Sequence, residues 1–216
     1  MPIPANFRFH ACEPAARREA ERRAILLFGA DWRAKCMPGH DRDRRFCFGV
    51  GEDSITARGS FVISWKNGEE NDLPDGTPSV MQFYPNGQVW STRRHQNGVL
   101  TDMSDGTPAI IQFYASGNVQ SIQHLRNNEL TDLPDGTPAE IDYAEDGSIA
   151  GGHSAVGIKK LTGSEVEERL AAAKQFRIRH AISQADTAVS VVGMHVVPLT
   201  ELPSELSAQD GYPTRM

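Results

Sequence analysis

From residue 78 to residue 84 the chain alternates its side chains with a period of two. Met81 and Phe83 point one way, and Val80, Gln82 and Tyr84 point the other. Such alternation predicts a strand with one buried face. The pattern returns as Ile111 and Phe113 against Ile110, Gln112 and Tyr114. It returns again as Ile141 and Tyr143 against Glu140 and Asp142. Each run ends in turn residues: Tyr84-Pro85-Asn86-Gly87-Gln88-Val89, Tyr114-Ala115-Ser116-Gly117-Asn118-Val119 and Tyr143-Ala144-Glu145-Asp146-Gly147-Ser148-Ile149. Gly reaches positive φ without a Cβ clash and Asn or Asp tolerates it, so these predict hairpins. Further turns fall at Asn97-Gly98 and Asn127-Asn128. The pattern predicts strands at 60–66, 78–84, 88–96, 108–114, 118–126, 138–143 and 147–154.

The links between these hairpins say one thing three times. Asp72-Leu73-Pro74-Asp75-Gly76-Thr77-Pro78 returns as Asp102-Met103-Ser104-Asp105-Gly106-Thr107-Pro108 and as Asp132-Leu133-Pro134-Asp135-Gly136-Thr137-Pro138, a spacing of 30 residues each time. A fixed period in this range marks a repeat architecture. Asp75, Asp105 and Asp135, with Gly76, Gly106 and Gly136, read as turn residues whose carboxylates bond nearby N–H groups. That reading is simpler than calcium, which wants six or more oxygens in one compact loop. The expected fold is mainly β: an antiparallel single-sheet meander of 30-residue hairpin repeats, capped by an N-terminal and a C-terminal α-helix. The units are 72–101, 102–131 and 132–161. A partial unit precedes them, with Asn67-Gly68 thirty residues before Asn97-Gly98.

Tyr84-Pro85-Asn86-Gly87-Gln88-Val89, followed about ten residues later by Asn97-Gly98, resembles the variant MORN repeat. The resemblance spans roughly residues 60–150. It implies hairpins laid side by side into an elongated, twisted sheet that serves as a binding platform without catalytic residues. In bacteria such repeats occur in antitoxin-type proteins. The departures are a unit longer than the usual one, the lack of a Tyr-x-Gly-x-Trp core, and the inserted Asp-Gly-Thr-Pro link.

Charge sharpens the picture of the partner. The net charge is −6, made of +4 over residues 1–50, −8 over 51–163 and −2 over 164–216. An acidic sheet disfavours nucleic acid and anionic lipid and suits a basic protein surface. No stretch approaches the roughly 20 apolar residues of a membrane span. The N-terminus lacks a signal pattern and three cysteines make no disulfide framework, so cytoplasm is the expected compartment.

The flanks carry other chemistry. Residues 1–50 are expected to form a basic helical cap, with a short strand at 7–12 and a helix of about fifteen residues from Pro14 to Gly29. Its Ala16, Ala20, Ala24 and Leu27 share one face. Cys12, Cys36, His40 and Cys47 have the residue types of a zinc site. The spacing Cys-x3-His-x6-Cys matches no standard finger, so buried free cysteines are the simpler expectation. A second helix is predicted from Ser164, with Glu167 in capping-box spacing, to about Ile182. A last strand is predicted over 188–197, and 201–216 reads as an extended arm.

The function expected from these readings is a non-enzymatic protein–protein interaction module, antitoxin-like or immunity-like, with no cofactor. The expected binding residues are Gln82, Tyr84, Gln112 and Tyr114, with Trp90, Thr92, Arg94, Ile122 and His124 on the facing strands. Asn86, Gly87, Gly117 and Gly147 are expected as hairpin turns. Two other readings stand beside it: a structural part of a larger assembly, and an enzyme with a Cys/His or zinc site in residues 10–47.

Overall fold

The computed structural model describes the backbone of residues 14–35, 37–40, 46–50 and 52–193, and the side chains of 14–35, 49–50 and 52–179. It is mainly β. In chain order the elements are α1 Pro14–Phe28, α2 Trp32–Lys35, β1 Met37–His40, β2 Phe46–Val50, β3 Asp53–Arg58, β4 Phe61–Lys66, β5 Glu69–Glu70, β6 Val80–Phe83, β7 Val89–Arg93, β8 His95–Gln96, β9 Val99–Leu100, β10 Ile110–Phe113, β11 Val119–Gln123, β12 Leu125–Arg126, β13 Glu129–Leu130, β14 Glu140–Tyr143, β15 Ile149–Ser154, a 3-10 turn Val156–Ile158, β16 Lys159–Thr162 and α3 Gly163–Gly193. One antiparallel sheet of twelve strands runs β1-β2-β3-β4-β6-β7-β10-β11-β14-β15-β16, with β5 paired to β4. Two side hairpins, β8–β9 and β12–β13, stand off this path. The chain divides into two compact units at Lys174 and Gln175. The described part of the second is the C-terminal portion of α3. No helix among the described residues is long and apolar enough to cross a membrane.

The strand register sorts side chains onto two faces. Val62 pairs with Met81, Met81 with Thr92, Thr92 with Ile111, Ile111 with Ile122, Ile122 with Ile141, Ile141 with Gly152 and Gly152 with Leu161. Directly opposed residues share a face, so these form one ladder. Two helices lie on this face. Ala15, Ala16, Ala20 and Ala24 of α1 pack on Ile55, Ala57, Val62 and Phe83. The alanines bring the helix backbone close to the sheet. Val166 of α3 packs on Ile141 and Leu161, with Leu170, Ile122 and Tyr143 beside it. Gly152 permits that approach, because a Cβ there would sit 2.2 Å from the Glu140 carbonyl oxygen and 3.2 Å from Val166 Cγ2.

The links between hairpins are held by one carboxylate each. Asp72 Oδ1 accepts from the N–H of Ser79 at 2.7 Å and of His95 at 3.1 Å. Asp102 Oδ1 accepts from Ala109 at 2.8 Å and Leu125 at 3.0 Å. Asp132 Oδ1 accepts from Ala139 at 2.9 Å and Ala155 at 2.8 Å. Each carboxylate therefore joins the start of one strand to the end of the strand after the next turn. The second oxygen takes a side chain: Arg94 on Asp72 at 2.9 Å, His124 on Asp102 at 2.7 Å, and Ser154 with Arg169 on Asp132.

Arg94 and His124 are followed thirty residues later by Ser154 and preceded by Ser64. At both serines a helix supplies the cation. Arg169 of α3 reaches Ser154 Oγ at 3.2 Å, and Arg23 of α1 reaches Ser64 Oγ at 2.8 Å and the Ser79 carbonyl at 2.7 Å. Arg23 is wholly buried, and its Glu19 partner sits 2.8 Å away. Burial pushes the guanidinium below its ordinary pKa, against the pull of Glu19.

Three expectations about elements are corrected. Residues 188–193 are helix, not strand, because α3 runs unbroken to Gly193 through Ala188-Val189-Ser190-Val191-Val192. A β-branched run lowers helix propensity only slightly, so a continuing helix absorbs it. The N-terminal region of 1–50 is not only helical, since β1 and β2 extend the sheet there, and β3 fills part of 51–59. The strands expected over 88–96 and 118–126 each break, at Arg94 and His124, whose N–H groups turn to Ala109 and Ala139. The strand expected over 7–12 and the arm over 201–216 lie outside the described residues.

Asp132 gives the sheet a pH dependence with a definite sign. Burial alone raises its carboxyl, but Ser154, the Ala155 and Ala139 N–H groups and Arg169 outweigh it and hold the group below the ordinary carboxylate value. The stability it contributes is complete above the unfolded value of about 4 and is lost as pH falls through the folded value. Asp132→Asn is expected to cost about 2 kcal/mol at pH 7. The gap to the wild type should close as pH falls from about 5 toward 2 in urea titrations at stepped pH.

Candidate interaction face

Within the first unit, Met1–Lys174, no described helix packs on the other face of the sheet. Phe61 pairs with Gln82 and Ile63 with Val80; Gln82 pairs with Ser91 and Val80 with Arg93. The row continues through Ile110 and Gln112, Ser121 and Gln123, Glu140 and Asp142, and Gly151 and His153. Val80, Gln82, Ser91 and Ser121 on this face are buried. Ser121 donates to Gln112 Oε1 at 3.2 Å.

The face changes chemistry along its length. At β3 and β4 it opens a hollow of about 440 Å³ lined by Thr56, Phe61, Ile63 and Trp65, with Arg58 at the rim. The Trp65 Nε1–H donates to Thr56 Oγ1 at 3.0 Å, which turns the rest of the indole toward apolar neighbours. At β14 and β15 the face is acidic. Glu140 takes Gln123 Nε2 at 2.6 Å on one oxygen and faces His153 Nδ1 at 2.8 Å with the other. Burial, with the Glu140 charge beside it, pushes the Asp142 carboxyl up against the opposing pull of His153 and Lys160.

The nine residues expected to bind do not share this face. Gln82 and Gln112 lie on it. Thr92 and Ile122 lie on the helix-bearing face, paired with Met81 and Ile111. The cause is an irregularity that recurs three times. Phe83 pairs with Val89 but Gln82 pairs with Ser91, so Trp90 is an extra residue; the register shifts likewise at Phe113 and at Tyr143. One inserted residue flips every later side chain to the opposite face. Without the bulge Gln82 would face Trp90 and Val80 would face Thr92.

Arg94 and His124 are engaged with Asp72 and Asp102, inside the links. Tyr84 Oη donates to the Phe113 carbonyl at 2.8 Å, and Tyr114 Oη to the Tyr143 carbonyl at 2.7 Å. Both tyrosines thus fasten one hairpin to the next. Trp90 packs against Tyr84 with ring centroids 6.2 Å apart. The turn residues serve as turns: Asp75, Asp105 and Asp135 accept from the N–H of Thr77, Thr107 and Thr137, and Asn86 from that of Gln88. Gly76, Gly87, Gly106, Gly117, Gly136 and Gly147 all have positive φ.

Cys12 and Cys36 lie outside the described residues, as do the side chains of His40 in β1 and Cys47 in β2. Among the described residues no group of three or more His, Cys, Asp or Glu side chains is placed to hold a metal ion. The arrangement closest to a nucleophilic relay is Ser79 Oγ, 2.7 Å from His95 Nδ1, with His95 Nε2 3.0 Å from Glu70. Its hydrogen bond to His95 holds the Glu70 carboxyl below its ordinary value, against the opposing effect of burial. Ser79 is wholly buried and its hydroxyl donates to the Arg93 carbonyl at 3.0 Å. Thirty residues on, the same three positions are Ala109, Leu125 and Leu100. The trio is one polar version of a packing site.

Sequence reasoning missed Phe61, Ile63 and Trp65 as a hollow, and Ser91, Arg93, Ser121, Gln123 and His153 as members of the face. The extra residue at Trp90 lies beyond the three-residue turn that ends at Gly87, so the turn chemistry does not announce it. No protein-family model matches the chain, and neither a curated protein nor a solved structure matches it.

The tyrosine bonds make a prediction that separates fastening from recognition. Tyr84→Phe and Tyr114→Phe are each expected to cost about 1 kcal/mol. Urea denaturation of the two single variants checks the loss.

Proposed function

We propose that the chain is a non-enzymatic protein-binding platform built from MORN-like hairpin repeats, with α1 and α3 closing one side. The observation that carries this reading is the division of the sheet. The described helices of the first unit pack on one face, and the other presents an apolar hollow, the half-buried amides of Gln112 and Gln123, and the carboxylates of Glu140 and Asp142 beside His153 and Lys160. Amphipathic aromatic groups beside hydrogen-bonding side chains are what protein interfaces use. A partner with an apolar anchor for the hollow and basic residues opposite Glu140 and Asp142 fits this surface. The family resemblance supports a toxin-neutralising or immunity-like role.

The test is affinity capture from the host cell with tagged full-length protein beside two variants. Ile63→Arg combined with Gln112→Arg adds bulk and like charge to the face and is expected to reduce the captured partner by about tenfold, ~1.4 kcal/mol. Tyr84→Phe combined with Tyr114→Phe leaves the face intact and should capture as well as the wild type. Circular dichroism confirms that both variants are folded. Undiminished capture by the double arginine variant contradicts the reading.

A further inference from the structure

The hairpin β4–β5 and the side hairpins β8–β9 and β12–β13 follow one another in a stack. Each is closed by two residues at positive φ: Asn67 and Gly68, Asn97 and Gly98, Asn127 and Asn128. Each later turn seals the outer strand of the hairpin before it. Gly98 N–H donates to the Glu70 carbonyl at 2.9 Å, and Asn128 N–H to the Leu100 carbonyl at 2.9 Å. Asn128 also accepts, through Oδ1, from the Leu100 N–H at 2.8 Å. In β13 the turn is closed by the pair Arg126–Glu129, so the next pair, Leu125–Leu130, turns its backbone groups outward.

Among the described residues the stack stops at Leu130. Thirty residues after Asn127 and Asn128, Gly157 and Ile158 also have positive φ, 73° and 51°. Here, however, the Ile158 N–H donates to the Ala155 carbonyl at 3.4 Å, and Ile has no amide to match that of Asn128. Among the described residues no hydrogen bond reaches the outward N–H and C=O of Leu130. Leu130 is 43% exposed, Val156 75% and Ile158 92%. A hollow of about 370 Å³ lies there, lined by Leu130, Ala139, Ala155 and Ile158, with Glu140 and His153 on its polar side. A β-branched residue at positive φ is strained, and at Ile158 no burial of the side chain offsets it.

We propose that the outer edge of β13 is a docking site for a β-hairpin turn of a partner protein, which adds the next member to the stack. The partner's turn gives an N–H to the Leu130 carbonyl and an Asn side-chain carbonyl to the Leu130 N–H. Its apolar side chain fills the hollow against Ile158. The occupant is fixed by continuity with the two turn-on-strand contacts already inside the chain. The inference does not depend on the open-face reading, although the hollow and that face share Glu140 and His153.

The probe is a disulfide-cyclised peptide carrying residues His124–Thr131, the hairpin that seals Leu100. Residue-resolved amide exchange on the full-length protein reads the result. Without probe the Leu130 amide should exchange about tenfold faster than that of Leu100, and saturating probe should remove most of that difference. A probe whose second Asn is replaced by Gly lacks the side-chain acceptor and should protect Leu130 far less. Ile158→Asp, at an exposed position, should abolish protection of Leu130 and leave Leu100 protected. The proposal is overturned if Leu130 is already protected without probe, whether by the chain itself or, in a concentration-dependent way, by a second copy. It is equally overturned if the probe leaves Leu130 unchanged or if the Gly probe protects as well.

Discussion

A single carboxylate at Asp72, Asp102 and Asp132 decides how each hairpin meets the next. Its Oδ1 accepts two backbone N–H groups, seven and twenty-three residues further along the chain. One belongs to the start of the following strand and the other to the residue where that hairpin leaves the main sheet. A link without secondary structure of its own would otherwise leave both N–H groups unpaired in a half-buried site, a cost of about 1–3 kcal/mol each. The second carboxylate oxygen is met by Arg94 from the strand, by the ring of His124, and by Arg169 from α3. At the other end of the series stands Ser64, thirty residues before Arg94. There Arg23 of α1 comes to Ser64 directly. Both helices are therefore bound to the sheet through the same position of the series that holds the links together.

Fixing the links fixes the faces. The bulges at Trp90 and at the two later turns set the parity of the return strands, and the register carries it through the sheet. Apolar residues from Val62 to Leu161 fall on the side where α1 and α3 pack. Serines, glutamines and the charged pair Glu140 and Asp142 fall on the other. The same parity puts Phe61, Ile63 and Trp65 beside Val80 and Gln82, so an aromatic hollow adjoins the polar band.

The main-sheet strands from Phe61 to Ser154, their turns and α1 were legible in the sequence because each rests on local chemistry, whereas the breaks at Arg94 and His124 and the side hairpins beyond them were not. Alternation, Asn-Gly turns, Pro14 and Gly29 act within a few residues. The core ladder of Met81, Phe83, Ile111 and Ile141 was legible for the same reason. Residues whose role depends on a distant partner were not. Arg23 reads as surface charge until Ser64 and Ser79 stand beside it. Tyr84 and Tyr114 read as a recognition ladder, whereas their hydroxyls reach carbonyls twenty-nine residues away. Thr92 and Ile122 were misplaced by one inserted residue that hydrophobic alternation does not register. The strand expected over 188–197 was read from β-branched residues alone, and over its described part a helix entering from Gly163 overrides that preference.

A binding platform of this kind meets its partner with one side of the sheet. Site-specific photo-crosslinking reads this directly, with a benzophenone amino acid placed at Gln112 in one protein and at Thr92 in another. The two positions lie near one another on opposite faces. Crosslinks to a captured protein from position 112 and none from position 92 are the expected result. Crosslinks from position 92 alone, or equally from both, would contradict the assignment of the open face as the binding surface.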